Sequence, residues 1–210
     1  MKMLKLSLLV GGMLLLASHS SFAQNHIKIH SREQLATLHE QMCFYLEGHK
    51  PEFSHTKLKP TFISGDYAGI EQPFESQGQY RIHVKVEFCD SEDKAKSGSF
   101  RFRKSTGDQG VFIRNMGNEA WISNSWAVVR KDTLLIVISL FETNNYTTPS
   151  SNIEPQNSPV TLQQTELEEV EIYNHRLKKF ETIQTIKSSR RDYAREIVGL
   201  VLEFFEKYGN

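Results

Sequence analysis

The chain has 210 residues, with 25 Lys+Arg against 25 Asp+Glu, so its formal charge is zero. This balance excludes the global electrostatic bias by which a protein holds nucleic acid or an anionic membrane. The length suits one domain with an appended segment.

Residues 1–23 read as a secretory signal peptide: Lys2 and Lys5, then the apolar stretch Leu6–Ala17, then the small-x-small exit Ser21-Phe22-Ala23. The apolar stretch is about 12 residues long, short of the roughly 20 needed to cross a bilayer. Cleavage near Ala23 leaves 187 residues carrying 23 basic and 25 acidic side chains. No later stretch reaches membrane-spanning length, and no cysteine follows the apolar signal core, so a soluble protein of the periplasm or extracellular space is expected. In that compartment the two cysteines, Cys43 and Cys89, are expected to pair. The bridge would close a loop of about 46 residues, worth roughly 4 kcal/mol in the chain-entropy model. Two buried free thiols are the alternative.

The first predicted element is a helix from Arg32 to about Glu47. Ser31 is placed as N-cap with Gln34 three residues on, and Leu35, Leu38, Met42, Tyr45 and Leu46 recur at helical spacing. Cys43 lies at the flank of that stripe. Residues 49–79 hold many turn-formers and read as loop, with a short strand near Thr61-Phe62-Ile63. Tyr80, Ile82, Val84, Val86 and Phe88 then alternate with Arg81, His83, Lys85 and Glu87, the pattern of a strand with one buried and one wet face. Since Phe88 continues the buried series, Cys89 points outward, and a bridge to Cys43 needs the chain to turn at the strand end. Ser99 to Lys104 repeats the alternation and predicts a second strand. Val111–Arg114, Ala120–Ile122, Trp126–Arg130 and Thr133–Phe141 follow as further strand material, with Lys131-Asp132 as a hairpin turn. Thr133–Phe141 is apolar on both faces and is expected to be central.

Glu142 to Pro159, rich in Thr, Asn, Ser and Pro, reads as a linker. Residues 161–210 read as two amphipathic helices with a break near Ser188-Ser189: a charged one over 162–187 and a more apolar one from Tyr193 to Tyr208. The predicted organisation is therefore a signal peptide (1–23), an α+β core (24–142), a linker (143–160) and a helical segment (161–210) docking on the core. The fold class is α+β, an antiparallel sheet of about five strands with the N- and C-terminal helices packed on it.

One stretch carries a family likeness. Asn115-Met116-Gly117-Asn118-Glu119-Ala120-Trp121, then Val128-Val129-Arg130-Lys131-Asp132 and an apolar strand, resembles a pattern in small bacterial exported proteins and lipoproteins of unknown function. In those a Gly-Asp-Glu-Ala-aromatic turn leads to a strand ending in Val-Arg-Lys-Gly and a hairpin return, with a final helix after it. The resemblance covers about 30 residues and the last helix, and it implies an antiparallel sheet with helices on it, usually in the cell envelope. Here Asn118 stands where Asp is usual and Asp132 where Gly is usual.

Catalytic signatures are not found: no Gly-x-Ser-x-Gly elbow, no Ser-x-x-Lys before an apolar helix, no His-Glu-x-x-His zinc helix and no phosphate loop. The seven histidines that follow residue 23, including His26, His30, His39, His49 and His55, complete no familiar ligand spacing, so no metal or cofactor is expected. Glu166, Glu168, Glu169 and Glu171 read as a solvated helix face. The most suggestive surface is the wet face formed if the two alternating strands pair. Arg81, His83, Lys85, Arg101 and Arg103 would share it, opposed only by Glu87, and such a face suits an anionic envelope component or an acidic protein. Trp121 and Trp126 bracket a short polar segment and are possible aromatic contacts for a ligand. The reading is an exported, non-catalytic binding module, with an enzyme of unrecognised site, or a small-molecule or metal carrier, as the alternatives.

Overall fold

The computed structural model describes the chain outside residues 1–28, 30, 56, 65–66, 77–79, 108–109, 143–165, 175–176 and 210. The signal peptide and the linker thus lie outside the described residues. The elements are α1 (Arg32–His49), β1 (Phe53–Ser54), β2 (Phe62–Ser64), β3 (Tyr67–Ser76), β4 (Tyr80–Cys89), α2 (Glu92–Thr106), β5 (Val111–Phe112), β6 (Glu119–Ile122), β7 (Trp126–Lys131), β8 (Leu134–Glu142), β9 (Leu167–Asn174), β10 (Lys179–Ile186) and α3 (Ser189–Tyr208). The class is α+β, with helices at both ends of the described chain packed on an antiparallel sheet. None of the described helices is long and apolar enough to cross a membrane.

The sheet is larger than the five strands expected. Nine strands follow one another in the order β1-β3-β4-β8-β7-β6-β5-β9-β10, and β2 pairs with β3 beside them. Every pairing is antiparallel. β8 is central, between β4 and β7, as its two apolar faces require. Most of the extra strands are β3 and the pair β9 and β10, where local signals mislead. β3 carries Gly69 and Pro73, which read as loop. Yet Pro73 lies opposite His83 of β4, at a point that neither β1 nor β2 reaches on the other side, a setting in which a strand tolerates proline. Gly69 is needed because the Phe62 ring lies across it; a Cβ there would sit 2.1 Å from that ring.

The predicted strand Ser99–Lys104 is instead the second half of α2. Ser91 caps it, its side chain accepting from the Lys94 N–H; Glu92 and Asp93 fill the first turn, Arg103 and Lys104 the last, and Gly107 closes it at φ 65. These are complete start and stop signals with the charges that favour the helix dipole. The face α2 turns to the sheet is made of small residues, Ala95, Gly98 and Ser99, with Phe102 one turn on, so the helix comes close without an apolar stripe. The predicted helix 162–187 is also corrected: Leu167–Asn174 and Lys179–Ile186 are the antiparallel strands β9 and β10. Val170, Ile172, Tyr173, Phe180, Thr182, Ile183, Thr185 and Ile186 are β-branched or aromatic and favour a pleated surface, and Asn174 accepts the Leu177 N–H at the turn.

The two faces of the sheet are covered differently. On one, α1 and α3 enclose the main core, in which Leu35, Met42, Leu46, Ile82, Val84, Ile136, Ile138, Ile197, Phe204 and Phe205 are buried together. On the other, α2 lies over a smaller cluster of Trp121, Trp126, Val128, Leu135 and Val137. α1 is held as expected: the Ser31 hydroxyl accepts the Gln34 N–H at 3.1 Å. The β7–β8 turn is Asp132-Thr133, one residue beyond the expected position, because Lys131 pairs with Leu134.

Candidate functional site

The alternation in β4 places Arg81, His83, Lys85, Glu87 and Cys89 on the α2 side of the sheet, opposite the core-facing Ile82, Val84, Val86 and Phe88. β8 adds Leu135, Val137 and Ser139 to the same face through its register with β4. α2 does not cover all of it. A cleft of about 320 Å³ remains, lined by His83, Lys85 and Glu87 from β4, Gly98, Arg101 and Phe102 from α2, and Leu135, Val137 and Ser139 from β8. Its floor is apolar and its rim charged.

Three of the five basic residues expected on one strand face, His83, Lys85 and Arg101, do meet here, but by a different route. Arg101 comes down from the helix, not across from a strand. The face is also less basic than expected, since β3 supplies two acids opposite it. His83 Nε2 lies 3.1 Å from Glu71, Arg81 Nη2 3.5 Å from Glu75, and Lys85 Nζ 2.8 Å from Glu87. Arg101 is exposed and has no ion-pair partner among the described residues.

Arg103 is on the other flank of α2 and serves the structure. It donates to Glu119 at 3.1 Å and lies over the Trp121 ring at 4.2 Å. Glu119 also accepts from Trp121 Nε1 at 2.8 Å and faces Arg130 Nε at 3.6 Å. Burial lowers the Arg103 pKa while Glu119 opposes that change. Trp121 and Trp126 are both buried, packed with Phe112 and Phe102 respectively, so they form core, not an open ligand platform. Four buried side-chain polar atoms lack a hydrogen-bond partner among the described residues: Ser99 Oγ, Arg103 Nε, Trp126 Nε1 and Arg130 Nε. All belong to α2 or to the strand face beneath it.

Cys43 and Cys89 stand as free thiols in this structure. Cys43 belongs to the core under α1, whereas the charges acting on Cys89 come from Glu87, Asp90, Lys94 and Arg101 on the α2 side. The sheet separates them. Burial raises the Cys43 thiol to about 12 and the Cys89 thiol to about 11, so neither offers a thiolate nucleophile near neutral pH. His39 is buried against Gln72 at 3.0 Å, His49 Nδ1 meets the Tyr45 carbonyl at 2.8 Å, and His55 meets Glu47 at 2.6 Å. His26 and His30 lie outside the described residues. No three His, Cys, Asp or Glu side chains among the described residues are grouped to hold a metal ion. Three of the four acids of the acidic run are ion-paired, Glu166 with Lys187, Glu168 with Arg191 and Glu171 with Arg114.

The Gly117–Asp132 motif is a structural clasp. Gly117 has φ 64, and a Cβ there would sit 2.5 Å from the Arg130 carbonyl oxygen. The Asn118 N–H donates to that oxygen at 2.8 Å, and Asn118 Oδ1 accepts the Asp132 N–H. An aspartate at 118 would accept the same bond. Asp132 has φ 51, the left-handed region in which glycine is at ease. Comparison with family models, curated proteins and solved structures finds no match to this chain.

Proposed function

We propose that this is an exported, non-catalytic binding protein of the bacterial cell envelope, released into the periplasm or beyond after cleavage near Ala23. Its ligand is an anionic group, a carboxylate or phosphate, attached to an apolar body. The observation that carries the reading is the convergence of Lys85, His83 and Arg101, from two elements, around a cleft floored by Phe102, Leu135 and Val137. Arg101 supplies the charge that no acid of the described chain meets, and the apolar floor gives the rest of the ligand a surface to cover. Few polar groups around an apolar pocket is the usual make-up of a binding site, and burial holds both thiols protonated.

The test is native mass spectrometry and co-purification of the protein from its own compartment, with the double variant Lys85→Ala/Arg101→Ala alongside. The wild type should carry an anionic component and the variant should lose it, with the circular dichroism spectrum unchanged. A wild type that arrives bare, or a variant that keeps the same component, overturns the reading.

A further inference from the structure

We propose that the outer edge of β10 pairs antiparallel with β10 of a second copy of this chain, joining the two sheets across a two-fold axis at Ile183. β10 ends the sheet, and its far side meets no other described strand. It is eight residues long and carries Phe180, Ile183 and Ile186 at 44%, 38% and 60% exposure, with Leu167 of β9 at 58% beside them. A long apolar edge of this kind is a template for another strand.

The register of the hairpin says which backbone groups are free. The Lys187 N–H donates to the Glu166 carbonyl at 2.8 Å, so this pair is one of the hydrogen-bonded pairs. The continuous pairing from Lys179↔Asn174 to Ile186↔Leu167 then makes Lys179, Glu181, Ile183 and Thr185 the residues bonded to β9. In an antiparallel ladder the alternate residues point their N–H and C=O the other way. Phe180, Thr182 and Gln184 therefore offer theirs outward, and Ile186 offers its N–H, while its carbonyl already accepts from Arg191 Nη2 at 2.9 Å.

A second copy fits this edge because β10 is self-complementary about Ile183. Reversed on itself around that residue, Phe180 falls opposite Ile186, Glu181 opposite Thr185, Thr182 opposite Gln184, and Ile183 opposite Ile183. Apolar meets apolar and polar meets polar throughout, and outward-pointing residues meet outward-pointing residues as the ladder requires. Carried into β9 by the register, this builds two apolar rows across the seam. Leu167, Ile186, then Phe180 and Tyr173 of the second copy share one face; Val170, Ile183, then Ile183 and Val170 of the second copy share the other. Lys179 and Lys187 would face each other at the ends, and each already has an acid of its own, Glu181 at 3.5 Å and Glu166 at 3.2 Å. Such an interface is isologous and closes at two.

The test is sedimentation velocity on the full chain over a range of concentrations. The wild type should be dimeric at micromolar concentration. Gln184→Pro removes one outward N–H and leaves the inward ladder intact, so it should halve the mass with no change in the circular dichroism spectrum. If that variant fails to fold, Ile183→Lys and Ile183→Glu serve instead: each alone should be monomeric, and their equimolar mixture should be dimeric. The register is read separately. Ile183 lies at a non-hydrogen-bonded pair, with Cα atoms about 4.5 Å apart, within the roughly 4.4–6.8 Å span of disulfides. Ile183→Cys should therefore cross-link on mild oxidation, whereas Phe180→Cys should not. A wild type that stays monomeric overturns the proposal, including one whose β10 amides are protected from exchange by the chain's own residues 143–165. A dimer that survives both Gln184→Pro and the charged variants, or that cross-links at Phe180→Cys and not at Ile183→Cys, overturns it too.

Discussion

The two faces of the sheet are built from the same strands and end up with opposite characters. The face under α1 and α3 is lined by the inward residues of β4, β7 and β8 and sealed by large side chains, with Phe88 packed edge-on to Phe205 and Phe204 against Tyr45. The face under α2 is closed by alanine, glycine and serine, and it carries Arg81, His83 and Lys85 of β4, two tryptophans, the Glu119 cluster and the four buried polar atoms without a hydrogen bond among the described residues. Large apolar side chains supply burial energy in proportion to the area they cover. A helix of small residues supplies closeness with little of that area, so it leaves the polar groups of its face partly open. Apolar burial is concentrated on the first face and charged and polar side chains on the second.

Substitutions on each face break or sharpen this contrast. The largest effect is expected on the sealed face. Phe205→Ala should lower the unfolding free energy by about 3–5 kcal/mol, measured by chemical denaturation, whereas Phe102→Ala beneath α2 should cost roughly half of that. Equal losses at the two positions would erase the distinction. Next in size is Glu119→Gln. It leaves the half-buried Arg103 and Arg130 without their carboxylate and should cost about 2–3 kcal/mol, with a shift in tryptophan emission because Trp121 bonds to the same oxygen. Gly117→Ala forces a Cβ toward the Arg130 carbonyl in a left-handed conformation and should cost about 1–3 kcal/mol.

A pH effect belongs to the sealed face. Burial depresses the His39 pKa, although the Gln72 bond works against the change. The unfolded chain therefore takes up the proton first, and stability is full above the ordinary histidine range. It falls as pH drops below about 6.5 toward the folded-state value. Denaturation midpoints at neutral and mildly acidic pH should converge in His39→Gln relative to the wild type. The smallest effect is a gain. Asp132→Gly relieves a non-glycine residue at φ 51 while keeping the N–H that Asn118 accepts, and it should stabilise by about 0.5–1 kcal/mol, seen as a higher melting temperature.

Much of the sealed face was legible in the sequence. The Ser31 cap, the stripe from Leu35 to Leu46, the strict alternation from Tyr80 to Phe88 and the apolar run of α3 each state their structure locally, because burial on one side of a regular element imposes its period. The other face was not legible in this way. Phe100-Arg101-Phe102-Arg103 has the alternation of a strand, yet it belongs to a helix whose capping residues, Ser91 and Gly107, lie outside that window. Leu167, Val170 and Tyr173 have helical spacing, yet they are placed by β10, whose pairing a three-residue spacing does not reveal. β3 hides behind Gly69, which makes room for the Phe62 ring, and Pro73, which lies where neither β1 nor β2 pairs with β3. Missing β3 meant missing Glu71 and Glu75, and so overstating the positive charge of the face.

Local sequence pattern was enough for the α+β class, the terminal helices, the central strand at β8 and the side-chain types available: basic residues in β4, two tryptophans and two cysteines. It was enough because those features depend on periods and caps within a few residues. The tertiary structure alone decided which of these groups meet. It put Arg101 and Lys85 around one cleft by folding a helix back over the sheet, sent Arg103 to Glu119, kept Cys43 and Cys89 on opposite sides, and placed β10 at the end of the described strand order. Those outcomes depend on strand order and register, which join residues far apart in the chain and are fixed only when the whole sheet closes over its core.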